Sequence, residues 1–376
     1  MIANATTRSE GLTGFTVAIT AARRADEFAM LLQRRGAHTL SAPAMAIIPL
    51  ADDVALRAAT DDLIATAPDL LIATTGIGFR GWVEATEEWG LTPALMDQLA
   101  TTRVISRGPK ATGALRAAGL REEWSPESES SVEVLAHLPE DLSGQRVAVQ
   151  LHGATDDWDP NPGFLAELHR RGADVVGVPV YRWTGPADQD RFDQLLAEIA
   201  AVRVDAAAFT SAPAVAAMLE RAKEVGSYDN LIAALRGPVV PYCVGPVTAR
   251  PLDDVGVPSV APERMRLGAL ARLIGDDLPA RRPDLAVAGH SVGVRANSIV
   301  VDGEVRDVSP SGMALMHALA ANPGEVVSRE QLLRLLPVAG ADAHAVEVAI
   351  GRLRSALGAR ELIVTVVKRG YRLAVD

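Results

Sequence analysis

Four short stretches of the chain combine the residue types that hold anions: Thr74-Thr75-Gly76, Arg107-Gly108-Pro109-Lys110, Thr210-Ser211 and Gly245-Pro246-Val247-Thr248. Each carries a hydroxyl or a glycine just before a helical pattern. There the first backbone N–H groups lack intrahelical partners and the helix dipole favours negative charge. Thr75, Gly108, Thr210, Ser211, Gly245 and Thr248 are therefore candidate substrate- or ligand-binding residues. A second chemistry lies near the C-terminus, in a helical pattern from about Asp342 to Leu357. Val346, Ile350, Leu353 and Leu357 fall within about 60° of one another at 100° per residue and form a core stripe. The opposite arc carries His344, Val348, Gly351, Arg352 and Ser355. Small residues there let a helix approach a duplex closely, and Arg352 is a long donor able to reach a guanine edge or a phosphate.

The four loops punctuate a repeat. Arg34-Arg35-Gly36-Ala37 recurs as Arg170-Arg171-Gly172-Ala173, Pro43 as Pro179, Thr75 as Ser211, Gly108-Pro109 as Gly245-Pro246 and Gly119 as Gly256, at an offset of 136 or 137 residues. A period this long describes two domain-sized units rather than a solenoid. In each copy short apolar runs alternate with helical patterns. The first copy reads Phe15 to Thr20, Asp26 to Arg35, Asp69 to Thr74, Phe79 to Trp89, Arg103 to Ser106 and Ala111 to Ala118. The second reads Arg146 to Gln150, Phe164 to Arg171, Ala206 to Thr210, Ala214 to Ala222, Val239 to Val244 and Thr248 to Val255. Strand–helix alternation with uniformly apolar strands predicts a fold of two doubly wound, parallel-sheet α/β lobes. Ligands of such lobes sit beyond the carboxyl ends of the strands, where the four loops lie. Two lobes facing each other across these loops would make a cleft suited to a substrate with several carboxylates.

Composition bounds the rest. The 376 residues allow two or three domains, and a 48% hydrophobic content supports real cores, built from small aliphatics because aromatics are only 4%. The net charge of −10 argues against a chain-wide nucleic-acid or membrane coat, yet it is uneven. Residues 1–284 sum to −11, whereas His344 to Arg372 sum to +4. The single cysteine, Cys243, excludes an internal disulfide framework and a CxxC site. It reads as packing within an apolar strand. The histidines show no ligand spacing, so no metal is expected. Without a long apolar run, the chain reads as a soluble cytoplasmic protein with no membrane partner.

Residues 14–275 resemble the uroporphyrinogen-III synthase (HemD) family. The matching residues are Gly108-Pro109-Lys110 with Leu115-Arg116-Ala117-Ala118-Gly119, Phe209-Thr210-Ser211, Val244-Gly245-Pro246-Val247-Thr248-Ala249 and Val180-Tyr181-Arg182. The resemblance implies a bilobal, cofactor-free enzyme that closes hydroxymethylbilane into uroporphyrinogen III with inversion of the last ring. It implies that the chain crosses between lobes at Ala42–Leu50 and Val178–Trp183. The lobes would then be 1–41 plus about 184–275, and about 50–175. It further implies that Tyr181 assists loss of the substrate hydroxyl and that Thr248 helps hold substrate carboxylates. Ala111 stands where the family has a threonine, with Thr112 displaced by one residue. Thr75 and Pro213 occupy serine positions, and Arg107 replaces a small apolar residue. These departures favour a retained fold over retained turnover.

Beyond residues 276–284, read as a linker from Asp276-Asp277, Pro279 and Arg281-Arg282-Pro283, the repeat stops. Short strands (292–295, 298–301, 305–308), helices at about 310–321, 328–336 and 342–357, and a hairpin over 363–375 are expected in a domain spanning 285–376. Ser328-Arg329-Glu330-Gln331 spells a capping box. This region resembles the OmpR/PhoB-type winged-helix DNA-binding domain through Ser309-Pro310, Val327 to Leu333, Val346 to Arg354 and Gly370-Tyr371-Arg372-Leu373. The resemblance implies double-stranded promoter DNA as partner, the third helix in the major groove, Arg352 and Arg354 on DNA, and a wing contact from Thr365. Lys368 and Arg369 supply charge at the wing. His344 and Gly351 stand where arginines are usual, so weaker binding is expected, aided by a homodimer or a partner regulator. A receiver domain has no counterpart here.

Simpler roles compete at each position. Gly76-Ile77-Gly78-Phe79-Arg80-Gly81 spells a dinucleotide fingerprint, but no acidic residue ends the next strand and Ser211 lacks the glycines. Thr248 and Ser211 could only cap helices, Tyr181 could be a strand-edge aromatic, and the arginines a solvated face. The expected function is a DNA-binding transcriptional regulator whose HemD-like body senses a linear tetrapyrrole or another polyanion, or binds a partner. The alternative is a bifunctional uroporphyrinogen-III synthase that also binds DNA.

Overall fold

The computed structural model describes residues 11–49, 54–127, 131–151, 163–336 and 343–376, excluding the side chains of 47–49, 181–184 and 343. The chain falls into two compact units, Met1–Ala44 with Pro186–Asp376, and Met45–Gly185.

In the first unit, lobe A is a parallel sheet of β1 (Thr16–Ile19), β2 (His38–Ser41), β9 (Ala206–Phe209) and β10 (Val240–Cys243), in the order β10-β9-β1-β2. Val17 pairs with Thr39 on one side and Ala206 on the other, and Cys243 pairs with Phe209. The inner strands β1 and β9 are buried along their whole length, as a sheet covered on both faces requires. Phe28 and Leu32, one turn apart on the helix Ala25–Gln33, join Phe15, Val17 and Ile19 in one core.

The second unit, lobe B, repeats the design with β4 (Leu70–Ala73), β5 (Arg103–Ser106), β6 (Arg146–Leu151) and β7 (Asp174–Pro179), in the order β5-β4-β6-β7. Alternation along its strands separates two cores. Leu71, Ala73, Val104 and Ala148 pack with Phe79 and Trp82, while Leu70, Ile72, Ile105, Val147 and Val149 pack with Val134 and Leu168. Helices thus cover both faces, the doubly wound arrangement expected. Trp82 is fully buried, edge-on to Phe79, and its Nε1–H donates to Thr60 Oγ1 at 2.9 Å. β3 (Ala46–Pro49) and β8 (Tyr181–Thr184), in the stretches expected to cross between lobes, pair antiparallel with Pro49 opposite Tyr181.

The repeat copies exchange halves. The first copy supplies β1 and β2 to lobe A but β4 and β5 to lobe B, and the second supplies β6 and β7 to lobe B but β9 and β10 to lobe A. The equivalent strands occupy equivalent places in the two sheets.

Residues 276–284, expected to be a linker, are instead helical as far as Arg281, in the helix Leu267–Arg281. Leu270, Ile274 and Leu278 recur on one face and pack into the lobe A core. Of the polar residues that suggested a linker, Asp276 is exposed, whereas Asp277, seven residues after Leu270, lies on the packed side of the helix. Asp277 accepts from Tyr242 Oη at 2.7 Å and Arg281 Nε at 2.5 Å. Pro279, two residues before the end, forgoes the one N–H bond that would go to Gly275 O.

The C-terminal domain begins with an antiparallel meander, β11 (Leu285–Val287), β12 (His290–Val294), β13 (Ile299–Val301) and β14 (Glu304–Arg306). Helices Pro310–Ala321, Arg329–Leu333 and Ala343–Leu357 follow. A small sheet closes the domain, with β15 (Val327–Ser328) and β16 (Ile363–Val366) flanking β17 (Gly370–Leu373). The capping box forms: Gln331 N donates to Ser328 Oγ at 3.2 Å and Ser328 N to Gln331 Oε1 at 2.9 Å. Val346, Ile350, Leu353 and Leu357 are buried in this domain's core, as the stripe predicts. Among the described residues no helix is long and apolar enough to cross a membrane.

Candidate ligand site and nucleic-acid interface

In lobe A the parallel sheet brings the ends of β1, β9 and β10 to one edge, which places Thr20, Thr210-Ser211 and Gly245 together. Ser211 is the extended N-cap of the helix Ala212–Glu224, yet its hydroxyl makes no capping bond. The N2 residue is Pro213, which has no N–H to offer. Gly245 precedes the helix Pro246–Asp254 in an extended conformation, and a Cβ there would meet the Met265 side chain. Thr248, in the first turn, is buried, and its N–H donates to Gly245 O at 3.0 Å. Sequence reasoning passed over Thr20 as the plain end of a strand. It is fully buried, and its Oγ1 has no hydrogen-bond partner among the described residues. A buried unsatisfied hydroxyl at the ligand end of a sheet is a donor in waiting. Cys243, beside this edge, is buried in β10, and burial pushes its thiol up to about 12, which makes it packing rather than nucleophile.

At the equivalent edge of lobe B the hydroxyls are bonded to protein groups, while Gln150 Oε1 is buried without a partner among the described residues. Thr75 caps the helix Gly76–Glu88 by accepting from Gly78 N at 3.2 Å, and the same hydroxyl meets Gln150 Nε2 at 2.9 Å. Thr112 Oγ1 lies 2.6 Å from Ser106 Oγ, tied back to the strand end. Gly108 precedes the helix Pro109–Ala117 with the same extended backbone as Gly245. The glycines of the dinucleotide-like motif serve packing. A Cβ on Gly76 would lie 2.1 Å from Lys110 O, and one on Gly78 would strike Gln150 and Val180. Tyr181 lies in β8, and its side chain is outside the described residues.

At the C-terminus, His344, Glu347, Val348, Gly351, Arg352 and Ser355 lie exposed along one face of the helix Ala343–Leu357. A Cβ on Gly351 would meet nothing within 4 Å, so this face is open. His344 Nδ1 lies 3.9 Å from Glu347 Oε2. Arg352 points into solvent, but Arg354 does not. Its Nε and Nη2 donate to Ile363 O at 3.1 and 2.6 Å, and Nη2 also reaches Thr365 Oγ1 at 2.9 Å. Two residues expected on DNA therefore bond each other, and Arg354 braces the helix against the wing. At the wing tip Val367, Lys368 and Arg369 are exposed, with Lys368 at φ 61. Gly370 is obligatory behind it, because at φ 146 a Cβ would lie 2.0 Å from Val327 O.

Residues 26–272 match the family model described as "Uroporphyrinogen-III synthase HemD". The chain belongs to the uroporphyrinogen-III synthase HemD family. Within that HemD body it is 30% identical over 266 residues to YjjA of Bacillus subtilis (strain 168), covering 69% of this chain and 95% of YjjA. A crystal structure of a mutant uroporphyrinogen III synthase from the extremely thermophilic bacterium Thermus thermophilus is similar at TM-score 0.56 and 31% identity, over 69% of this chain and 96% of that one. Residues 303–373 match the model "Transcriptional regulatory protein, C terminal". The chain is 39% identical over 92 residues to the TorCAD operon transcriptional regulatory protein TorR of Escherichia coli (strain K12), a match that covers 24% of this chain and 40% of TorR. A HemD body joined to an OmpR/PhoB-type DNA-binding domain is the architecture of a DNA-binding regulator.

Proposed function

We propose that the winged helix binds promoter DNA through its third helix and that the HemD body holds a polyanionic ligand, a linear tetrapyrrole or a similar polycarboxylate, as a sensor rather than as a catalyst. The observation that carries the sensor reading is the difference in hydroxyl bonding between the two strand edges, each of which also buries one polar atom without a partner among the described residues, Thr20 Oγ1 and Gln150 Oε1. In lobe A the Thr20 hydroxyl lacks a partner and the Ser211 hydroxyl makes no capping bond, whereas in lobe B Thr75 and Thr112 are tied to protein groups. Protein groups thus already occupy the Thr75 oxygen as an acceptor and the Thr112 hydroxyl, and catalysis in this family's reaction would rest on positioning and charge stabilisation by such groups. Retention of Tyr181 and Thr248 favours the alternative, a bifunctional synthase.

The deciding experiment incubates the purified chain with hydroxymethylbilane. Sensing without turnover predicts ligand binding by calorimetry and no enzyme-dependent uroporphyrinogen III. Formation of the type III isomer at a rate that drops in Tyr181→Phe or Thr248→Ala would establish the bifunctional enzyme instead.

A further inference from the structure

The two lobes contain an internal control. Asp69 in lobe B and Asp205 in lobe A stand at the same place, just before β4 and β9. Each accepts from the backbone N–H that opens the neighbouring strand: Arg146 N to Asp69 Oδ2 at 2.7 Å, and Thr16 N to Asp205 Oδ2 at 2.8 Å. Asp69 is exposed, while Asp205 is completely buried. The C-terminal domain contributes to its cover, through Ala296 N.

The turn between β12 and β13 supplies this contribution. Ala296 N donates to Asp205 Oδ1 at 2.8 Å, and Arg282 Nη1 reaches the same oxygen at 3.1 Å. Arg295, 5% exposed, lies 4.1 Å over the Phe15 ring and donates to Arg282 O at 2.8 Å and to Asp284 Oδ1. Ser298 Oγ donates to Gly14 O at 2.7 Å. Gly14, at φ 79, leaves no room for a side chain, since a Cβ would lie 2.4 Å from Val300 Cγ2. From the other side His317 Nε2 lies 3.2 Å from Ala296 O and holds the turn to its own domain. A tethered neighbour in casual contact would not bury a carboxylate, because an unpaired buried charge is costly. Here both carboxylate oxygens have donors in place.

We propose that the β12–β13 turn is a plug and the start of β9 its socket, so that lobe A and the winged helix form one mechanical body. The partner of this surface is the chain's own C-terminal domain, recognised by a carboxylate that receives one N–H from each side of the junction. Docking leaves His344, Val348, Gly351 and Arg352 exposed, so the docked state is competent to meet DNA. The same β1 and β9 that begin at the socket end at Thr20 and Thr210, the candidate ligand edge of lobe A. This coupling holds whether or not a ligand binds there.

Hydrogen exchange of the full-length protein, read by mass spectrometry, tests it. In Asp205→Asn an amide N–H must face one of the two backbone donors. Exchange should then rise at least about tenfold in both 12–20 and 285–301, while the helix Ala343–Leu357 keeps its protection. Asp69→Asn should raise exchange only around Arg146. Unchanged exchange in 285–301 of Asp205→Asn overturns the proposal. Should that variant not fold, Arg282→Met with Ser298→Ala leaves the carboxylate and its Thr16 bond in place. The same rise across 285–301 supports the plug, and its absence refutes it.

Discussion

Arg354 and Thr365 meet across the winged helix, with Nη2 2.9 Å from Oγ1, and the same guanidinium caps Ile363 O. Arg352, two residues earlier, is exposed. The two arginines should therefore separate in a mutational test. Arg354→Ala should lower the stability of the C-terminal domain by about 1 to 2 kcal/mol, because it removes charge-assisted bonds at a half-buried site. Arg352→Ala should leave stability within about 0.5 kcal/mol. In a gel shift it should weaken DNA binding and, if the contact is to a phosphate, reduce the slope of log affinity against log salt by about 1. Denaturant titration of both variants checks the first half, and binding at several salt concentrations the second.

His290 gives the C-terminal domain a pH dependence. Its Nδ1 lies 2.6 Å from Asp302 and its Nε2 3.3 Å from Glu361, and these hydrogen bonds raise its pKa above 6.5, Asp302 contributing most. A raised folded-state pKa means the stabilisation is complete below about 6.5 and disappears as pH rises through the folded value. Melting of the wild type should fall across that window, and His290→Gln should flatten the profile. Parallel profiles for the two proteins would contradict this.

Cys243 should be silent. With its thiol pushed up to about 12 by burial in β10, almost no thiolate is present at pH 8. A thiol reagent should leave the native protein unmodified over hours and titrate one group once denaturant is added. Rapid native labelling would show that β10 opens.

Trp82 tests the lobe B core. Trp82→Phe keeps most of the apolar volume but removes the Nε1 bond to Thr60, and should cost about 1 to 2 kcal/mol. Trp82→Ala also leaves a cavity beside Phe79 and should cost about 3 to 5 kcal/mol. Urea unfolding measures both.

Much of this molecule is written along the chain. The repeat of Arg34-Arg35-Gly36-Ala37 at Arg170, the apolar strands before Thr75, Gly108, Ser211 and Gly245, and the stripe Val346-Ile350-Leu353-Leu357 are local patterns. Periodicity therefore reveals two doubly wound lobes and a helix with an outward face, and motif order reveals the two families. The capping box at Ser328 is equally local, since its partners lie three residues apart.

The departures all concern who competes for a polar group. Thr75 carries a hydroxyl in the right loop, but Gly78 and a glutamine 75 residues away take it, whereas Thr20 looked ordinary and is left unsatisfied. Arg354 follows the family pattern, yet folding brings Ile363 O within its reach before any phosphate. Asp276-Asp277 and Pro279 read as a linker because polar residues with a proline resemble a loop until the buried Leu270, Ile274 and Leu278 are seen in the same helix. The sequence by itself determined the two families, the order of the modules and the strands and helices with a strong apolar pattern, because those depend on near neighbours. Tertiary structure alone decided that each sheet takes half of each repeat, that Asp205 is a socket while its twin Asp69 faces water, and which hydroxyls stay unbonded, because hydrogen bonds go to whichever donor packing brings within about 3 Å.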